Sequence, residues 1–357
     1  MTSSHPTPSA PALSVLDLVP VRADQTTSGA LASSVALARV ADRLGFRRYW
    51  VAEHHNMPAV AATNPPVLIA MLAGATERIR VGSGGVMLPN HAPLVVAEQF
   101  ALLEAAFPGR VDLGIGRAPG TDPVTRWVLR AGASSHDEDP VARFPEYVDQ
   151  VRALMAPEGA GLTVRGEVFP LRATPAASAV PDLWLLGSSD YSAQLAADRG
   201  LPYVFAHHFS GQGTAEALAL YRSRFQPSEE LAEPRTFLTV NAVVAETQDE
   251  ADRLALPQLL AMLALRTGAE LRPQPLVEDA EKTEVAEAHQ GLLAAMRRRW
   301  VIGTPESAAA QVRELADRFA VDEVLVHPVA GAVSGTADDL SPARERTLEL
   351  LAAALEG

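Results

Sequence analysis

The chain has 357 residues, 48% hydrophobic, 20% charged and 5% aromatic, with 30 Lys and Arg against 43 Asp and Glu for a formal net charge of −13. A chain of this make-up can bury an extended core, and its acidity repels phosphate backbones and anionic lipid, so neither nucleic acid nor a membrane is an expected partner. The absence of cysteine excludes disulfides, thiolate metal ligands and a cysteine nucleophile.

In chain order, residues 1–12 are rich in Ser, Pro and Thr, carry no basic run ahead of an apolar stretch, and are expected to form a disordered tail. No window approaches the ~20 apolar residues of a membrane-spanning helix, so a cytoplasmic protein is expected. Residues 13–20 read as a strand, and 31–45 as a helix with Leu31, Val35, Ala38 and Leu44 at helical spacing and Gly45 as its stop. The phrase recurs. Strands are expected at 48–52, 79–82, 111–115, 183–186, 203–206, 237–245 and 323–326, each with a helical pattern available after it. Alternating strands and helices imply a parallel sheet with right-handed crossovers. Eight such units predict an α/β fold, a closed (β/α)₈ TIM barrel in one domain over 13–357, rather than an open doubly wound sheet. Insertions are expected in the loops after strands 4 and 7, at 117–141 and 266–300, the latter a charged mobile surface or a substrate-ordered lid; 159–171 reads as a small hairpin.

Barrel enzymes assemble their sites from the loops that follow the strands, so polar strand ends matter most. Gly187-Ser188-Ser189 precedes a helix expected over 193–199, and free N–H groups with hydroxyls at a helix start accept a phosphate, although the same residues serve as an ordinary N-cap. Arg117 leaves strand 4 between glycines and offers a bidentate cation to the same anion. Gly114-x-Gly116 with Gly120 has the wrong spacing for a dinucleotide fingerprint, and Pro119 and Pro123 stand where its helix would begin. Gly84 and Gly85 either admit a flat ring to the backbone or simply turn the chain. His54 and His55 are adjacent, so on a strand they face opposite ways; one is expected to face the mouth as an acid, base or hydrogen-bond donor. A metal held by His54, His207 and His327 is the less favoured reading.

At this point the chain resembles the bacterial luciferase-like flavin-dependent monooxygenases, as a non-luminous member. The residues that carry the resemblance are Trp50-Val51-Ala52-Glu53-His54-His55, Val81 through Pro89 with His91 and Pro93, Ala97-Glu98-Gln99, Pro108 through Arg117, and Gly187-Ser188-Ser189 with Ser192, Leu195-Ala196-Ala197 and Gly200-Leu201-Pro202. They span nearly the whole chain in register. The resemblance implies FMN bound at the carboxyl ends of the strands, commonly in a homodimer, with Arg117, Ser188, Ser189 and Ser192 at the phosphate positions. It also places Gly84 and Gly85 where many members hold a non-prolyl cis peptide against the flavin, and His54 at the active-site histidine. Reduced FMN from a separate flavin reductase would react with O₂ to give a C4a-peroxyflavin that oxygenates a small organic substrate. Luciferases carry cysteine where this chain has Gly116, so light emission and a long-chain aldehyde substrate do not follow. An F420-dependent hydride-transfer enzyme on the same barrel is the nearest alternative, followed by a non-catalytic flavin-binding protein and a metal-dependent hydrolase.

Overall fold

A computed structural model describes residues 10–130, 139–177 and 179–356. Eight parallel strands, β1 (Ala12–Asp17), β2 (Arg48–Val51), β3 (Arg80–Ser83), β4 (Val111–Gly116), β5 (Asp182–Gly187), β6 (Tyr203–Phe205), β7 (Thr236–Val244) and β8 (Glu323–Pro328), pair in chain order. The ring closes where β8 pairs with β1, Ala12 opposite Glu323 and Val15 opposite Val326. This is the predicted (β/α)₈ barrel. β1 begins at Ala12, one residue inside the expected tail; residues 1–9 lie outside the described residues.

Period-two alternation sorts each strand between the barrel interior and the surrounding helices. On β2, Arg48 and Trp50 point inward while Tyr49 and Val51 join the outer core with Leu37, Ile69, Phe100 and Val148. The interior is layered. At its amino-terminal end Arg48 Nε donates to Glu323 Oε1 at 2.6 Å and Arg48 Nη1 to Asp112 Oδ2 at 2.7 Å, and Ser14 Oγ donates to Glu323 Oε1 at 2.6 Å. Above this lies an apolar plug of Leu16, Trp50, Trp184, Val204, Phe237 and Leu325, with ring centroids 4.9–5.7 Å apart among the three aromatics. The plug seals the barrel, so the carboxyl ends of the strands open onto a floored cup and not a pore.

Among the connections, 160–171 forms the expected hairpin, with Ala160–Val164 antiparallel to Glu167–Leu171. The stretch after β4 carries a helix at Pro123–Arg130, and residues 131–138 lie outside the described residues. The stretch after β7 is largely helical: Gln248–Thr267 is followed by Val277–Ala280 and Glu287–Arg297, and Met296 and Trp300 bury themselves against Leu259 and Leu263. A further short strand, Val301–Gly303, pairs with β7 outside the ring, Ala242 opposite Val301. Three residues are too few to show a period, which is why the sequence pattern misses it.

Candidate active site

The rim of the cup is built first by β4 and β5. Gly116 pairs with Leu186, so Arg117 leaves β4 beside Gly187 and Ser188. The helix that follows starts at Asp190, one turn before the expected 193–199, with Ser189 as an N-cap whose side chain makes no capping hydrogen bond. Arg117 lies over the Tyr191 ring, Cζ 4.0 Å from its centroid, and has no acidic partner among the described residues. Ser192 is buried, and a Cβ added to Gly187 would sit 2.2 Å from its hydroxyl. The structure thus brings Arg117, Ser188, Ser189 and Ser192 to one rim at a helix amino terminus.

Next to them β3 makes an excursion. Its ladder with β4 is interrupted after Gly82 and resumes at Val86, opposite Ile115. Ser83 bridges the gap: its hydroxyl donates to the Gly114 carbonyl at 2.8 Å and accepts from Gly114 N at 3.0 Å. The Gly84–Gly85 peptide within the excursion is cis. A Cβ on Gly84 would meet Leu16 and Trp50 at 3.1 and 3.2 Å, and one on Gly85 would meet the Gly114 carbonyl oxygen at 2.8 Å. The room left by these missing side chains is therefore taken by the plug and by the neighbouring strand.

Residues 53–55 alternate as the strand predicts. Glu53, fully buried, accepts at Oε1 from His55 Nε2 and from His91 Nε2, both at 2.8 Å, and at Oε2 from Met87 N at 2.9 Å. Burial opposes ionisation, yet the bonds from His55 and His91 outweigh it and hold the carboxyl at a pKa of about 2. Because a carboxylate only accepts, both imidazoles are fixed with Nε2 protonated. The loop after β4 is stitched over this segment: His55 N donates to Gly120 O, Thr121 Oγ1 to His55 O, and Asn90 Nδ2 to Pro119 O. Sequence reasoning missed this carboxylate clamp, since His91 stands 38 positions away.

His54 faces the other way, into the cup. Its backbone N–H donates to Ala62 O, and its Nδ1 is buried with no hydrogen-bond partner. Burial, opposed by the Glu53 charge and helped by His55, pulls its pKa below the ordinary value, so the ring is neutral near pH 7. Its companions are His208 and His327 and not His207, the member named in the less favoured metal reading: the chain turns into a helix at His207, whose ring points outward, bonding Thr214 Oγ1 at 2.7 Å and packing on Phe319. The His208 and His327 ring centroids are 6.1 Å apart at 83°. Burial first, then the neighbouring imidazoles, lower both, His208 to about 3. No three metal-ligating side chains converge among the described residues.

The mouth therefore joins a cationic, hydroxyl-lined rim to a floor of neutral imidazoles above an apolar plug, with a buried carboxylate orienting two more histidines at the edge. The model of the luciferase-like monooxygenase family matches residues 12–322. A protein of Escherichia coli strain K12 described as a luciferase-like monooxygenase is 41% identical over 271 residues, 76% of this chain and 78% of its own. The N-acetyl-S-alkylcysteine monooxygenase of Bacillus subtilis is 30% identical over 90% of this chain and 94% of its own. The oxygenase component of the flavin-dependent trigonelline monooxygenase of Acinetobacter baylyi is 25% identical over 61% and 60%. Among solved structures, apo-MsnO8 superposes with a TM-score of 0.83 at 34% identity, covering 97% of this chain and 98% of its own. Matches of this extent, in both sequence and fold, establish that the chain belongs to the luciferase-like monooxygenase family of oxidoreductases.

Proposed function

We propose that the chain is the oxygenase component of a two-component cytoplasmic flavin monooxygenase, receiving reduced FMN from a separate reductase and using O₂ to oxygenate a small organic substrate. The observation that carries this reading is the placement of Arg117, over Tyr191 and without an acidic partner among the described residues, on the same rim as the uncapped Ser188–Ser189 helix start. A guanidinium, hydroxyls and helix N–H groups are the donor set a phosphate monoester needs. In this reading Arg117, Ser188, Ser189 and Ser192 hold the phosphate of FMN, and Gly84–Gly85 supports its ring system. Bound reduced FMN would supply the electrons and the carbon at which O₂ is activated. The chain's own part is to orient and to dry the site. The apolar plug excludes competing water from below. His54, neutral and with an unpaired buried Nδ1, accepts and returns a proton. Glu53 holds His55 and His91 rigid at the edge.

The names of the relatives from Bacillus subtilis and Acinetobacter baylyi support oxygenation and a separate reductase. A homodimer belongs to the same proposal: helices Pro65–Ala75 and Pro93–Ala106 are apolar on both faces, leaving Val67, Met71, Val95 and Leu102 exposed. The test is anaerobic titration with reduced FMN and with F420, then mixing with ¹⁸O₂ and a panel of thioethers and ketones that begins with N-acetyl-S-alkylcysteines. Tight binding of reduced FMN and one ¹⁸O atom in the product are expected; oxygen-independent turnover with F420 would overturn the reading. His54→Ala should bind FMN yet consume O₂ without forming product.

A further inference from the structure

Next round the ring from β5 and its serines, the carboxyl ends of β6, β7 and β8 bring together a polar group that the flavin does not require. His208 Nδ1 lies 2.8 Å from Thr239 Oγ1, and that hydroxyl itself donates to the Phe205 carbonyl at 3.2 Å. With the single hydroxyl proton directed at that carbonyl, Thr239 accepts from the ring and His208 carries its proton on Nδ1. His327, 4% exposed, lies with Nδ1 2.9 Å from Asn241 Oδ1, while Asn241 Nδ2 donates to the His208 carbonyl at 2.8 Å. A carbonyl only accepts, which fixes the amide orientation and puts the His327 proton on Nδ1 as well. Both rings are thereby locked with Nε2 as a bare lone pair, and no hydrogen bond to either Nε2 is formed among the described residues. The His208 and His327 ring centroids are 6.1 Å apart, and His54 lies near enough to act electrostatically on both.

We propose that Nε2 of His208 and Nε2 of His327 form the substrate-reading edge of the mouth, a pair of fixed hydrogen-bond acceptors that select a substrate presenting an O–H or N–H group to the β6–β8 side. Calling the selected molecule a substrate rests on the oxygenase reading; the acceptor pair itself does not. Both rings resist protonation through the neutral pH range, so they act as acceptors and not as cations, and an anionic or acceptor-only group finds no donor there. Truncated analogues lacking the donor leave the lone pair it would have met unsatisfied, which is the strongest form of discrimination that a polar site provides.

The experiment uses the full-length protein labelled with ¹⁵N-histidine, and phenol and anisole as a matched donor and non-donor. Long-range ¹H–¹⁵N spectra should show unprotonated Nε2 on both His208 and His327. Phenol, with one proton to donate, should shift the Nε2 nitrogens and bind about fivefold more tightly than anisole. His208→Phe should remove most of that preference, and Thr239→Val, which frees the ring to exchange its proton between nitrogens, should reduce it without emptying the site. FMN affinity should be unchanged in both variants. Protonated Nε2 nitrogens, or equal binding of phenol and anisole, would overturn the proposal. Failure of the wild-type protein to bind FMN, with the phenol preference intact, would instead remove the oxygenase reading and leave the acceptor pair standing.

Discussion

The two ends of the barrel interior use the same strands and many of the same residue types, yet treat buried polar groups in opposite ways. At the amino-terminal end Arg48 is bonded to both Asp112 and Glu323, Arg80 reaches Asp112, and Arg47 reaches Glu323 at 3.1 Å. Trp50 Nε1 adds a further bond to Asp112 Oδ2 at 2.9 Å. At the mouth, His54 Nδ1 is unpartnered, Ser189 caps nothing with its side chain, and two imidazoles hold bare lone pairs. Mutual saturation marks a structural network, whereas polar atoms held in place but left open mark a surface made for something that arrives later.

The contrast breaks most sharply at Arg48. Arg48→Met leaves Asp112 and Glu323 as buried charges short of a partner and should destabilise the fold by about 3–5 kcal/mol in urea unfolding, while the fraction that stays folded keeps its FMN affinity. A stability equal to wild type would dissolve the distinction between the two ends. Glu53 tests a group on the boundary, saturated itself but serving the mouth. Its pKa is lowered in the folded chain, so its contribution is complete above the ordinary value of 4.5 and is lost as pH falls toward about 2. Glu53→Gln should remove roughly 2–3 kcal/mol at pH 7 and narrow its deficit against wild type as unfolding is followed down through that window. Smaller effects on stability belong to the mouth. Arg117→Ala should weaken FMN binding roughly 10- to 100-fold in a fluorescence titration, and Ser189→Ala about fivefold, with unfolding midpoints unmoved in both. A drop in midpoint for either would show that the rim is structural after all.

The barrel was legible because its interior and exterior faces alternate along short strands bounded by Gly and Pro, as at Arg48-Tyr49-Trp50-Val51. The meeting of Arg117 with Ser188 and Ser189 was legible for a related reason: consecutive parallel strands deliver their carboxyl ends to one rim. Side-chain partners across the chain were not. No local rule links Glu53 to His91, and strand alternation stops being a guide where the chain turns helical at His207, so the sequence does not tell which member of that pair enters the cup. One signal was present and unread. Phe237, Thr239 and Asn241 lie two apart on β7, a face that begins apolar and becomes polar toward the mouth, and such a change of character along one side of a buried strand points to the site.

The aromatic plug has an optical consequence. Of the four tryptophans, Trp50 packs against Gly84, on whose backbone the flavin ring is proposed to rest, and Trp184 stands edge to face with Trp50. An isoalloxazine seated there would drain their excitation, so the barrel carries its own gauge of occupancy. Loss of intrinsic emission should report loading of the cup without any label, and Trp50→Phe should blunt that response while leaving the occupant in place.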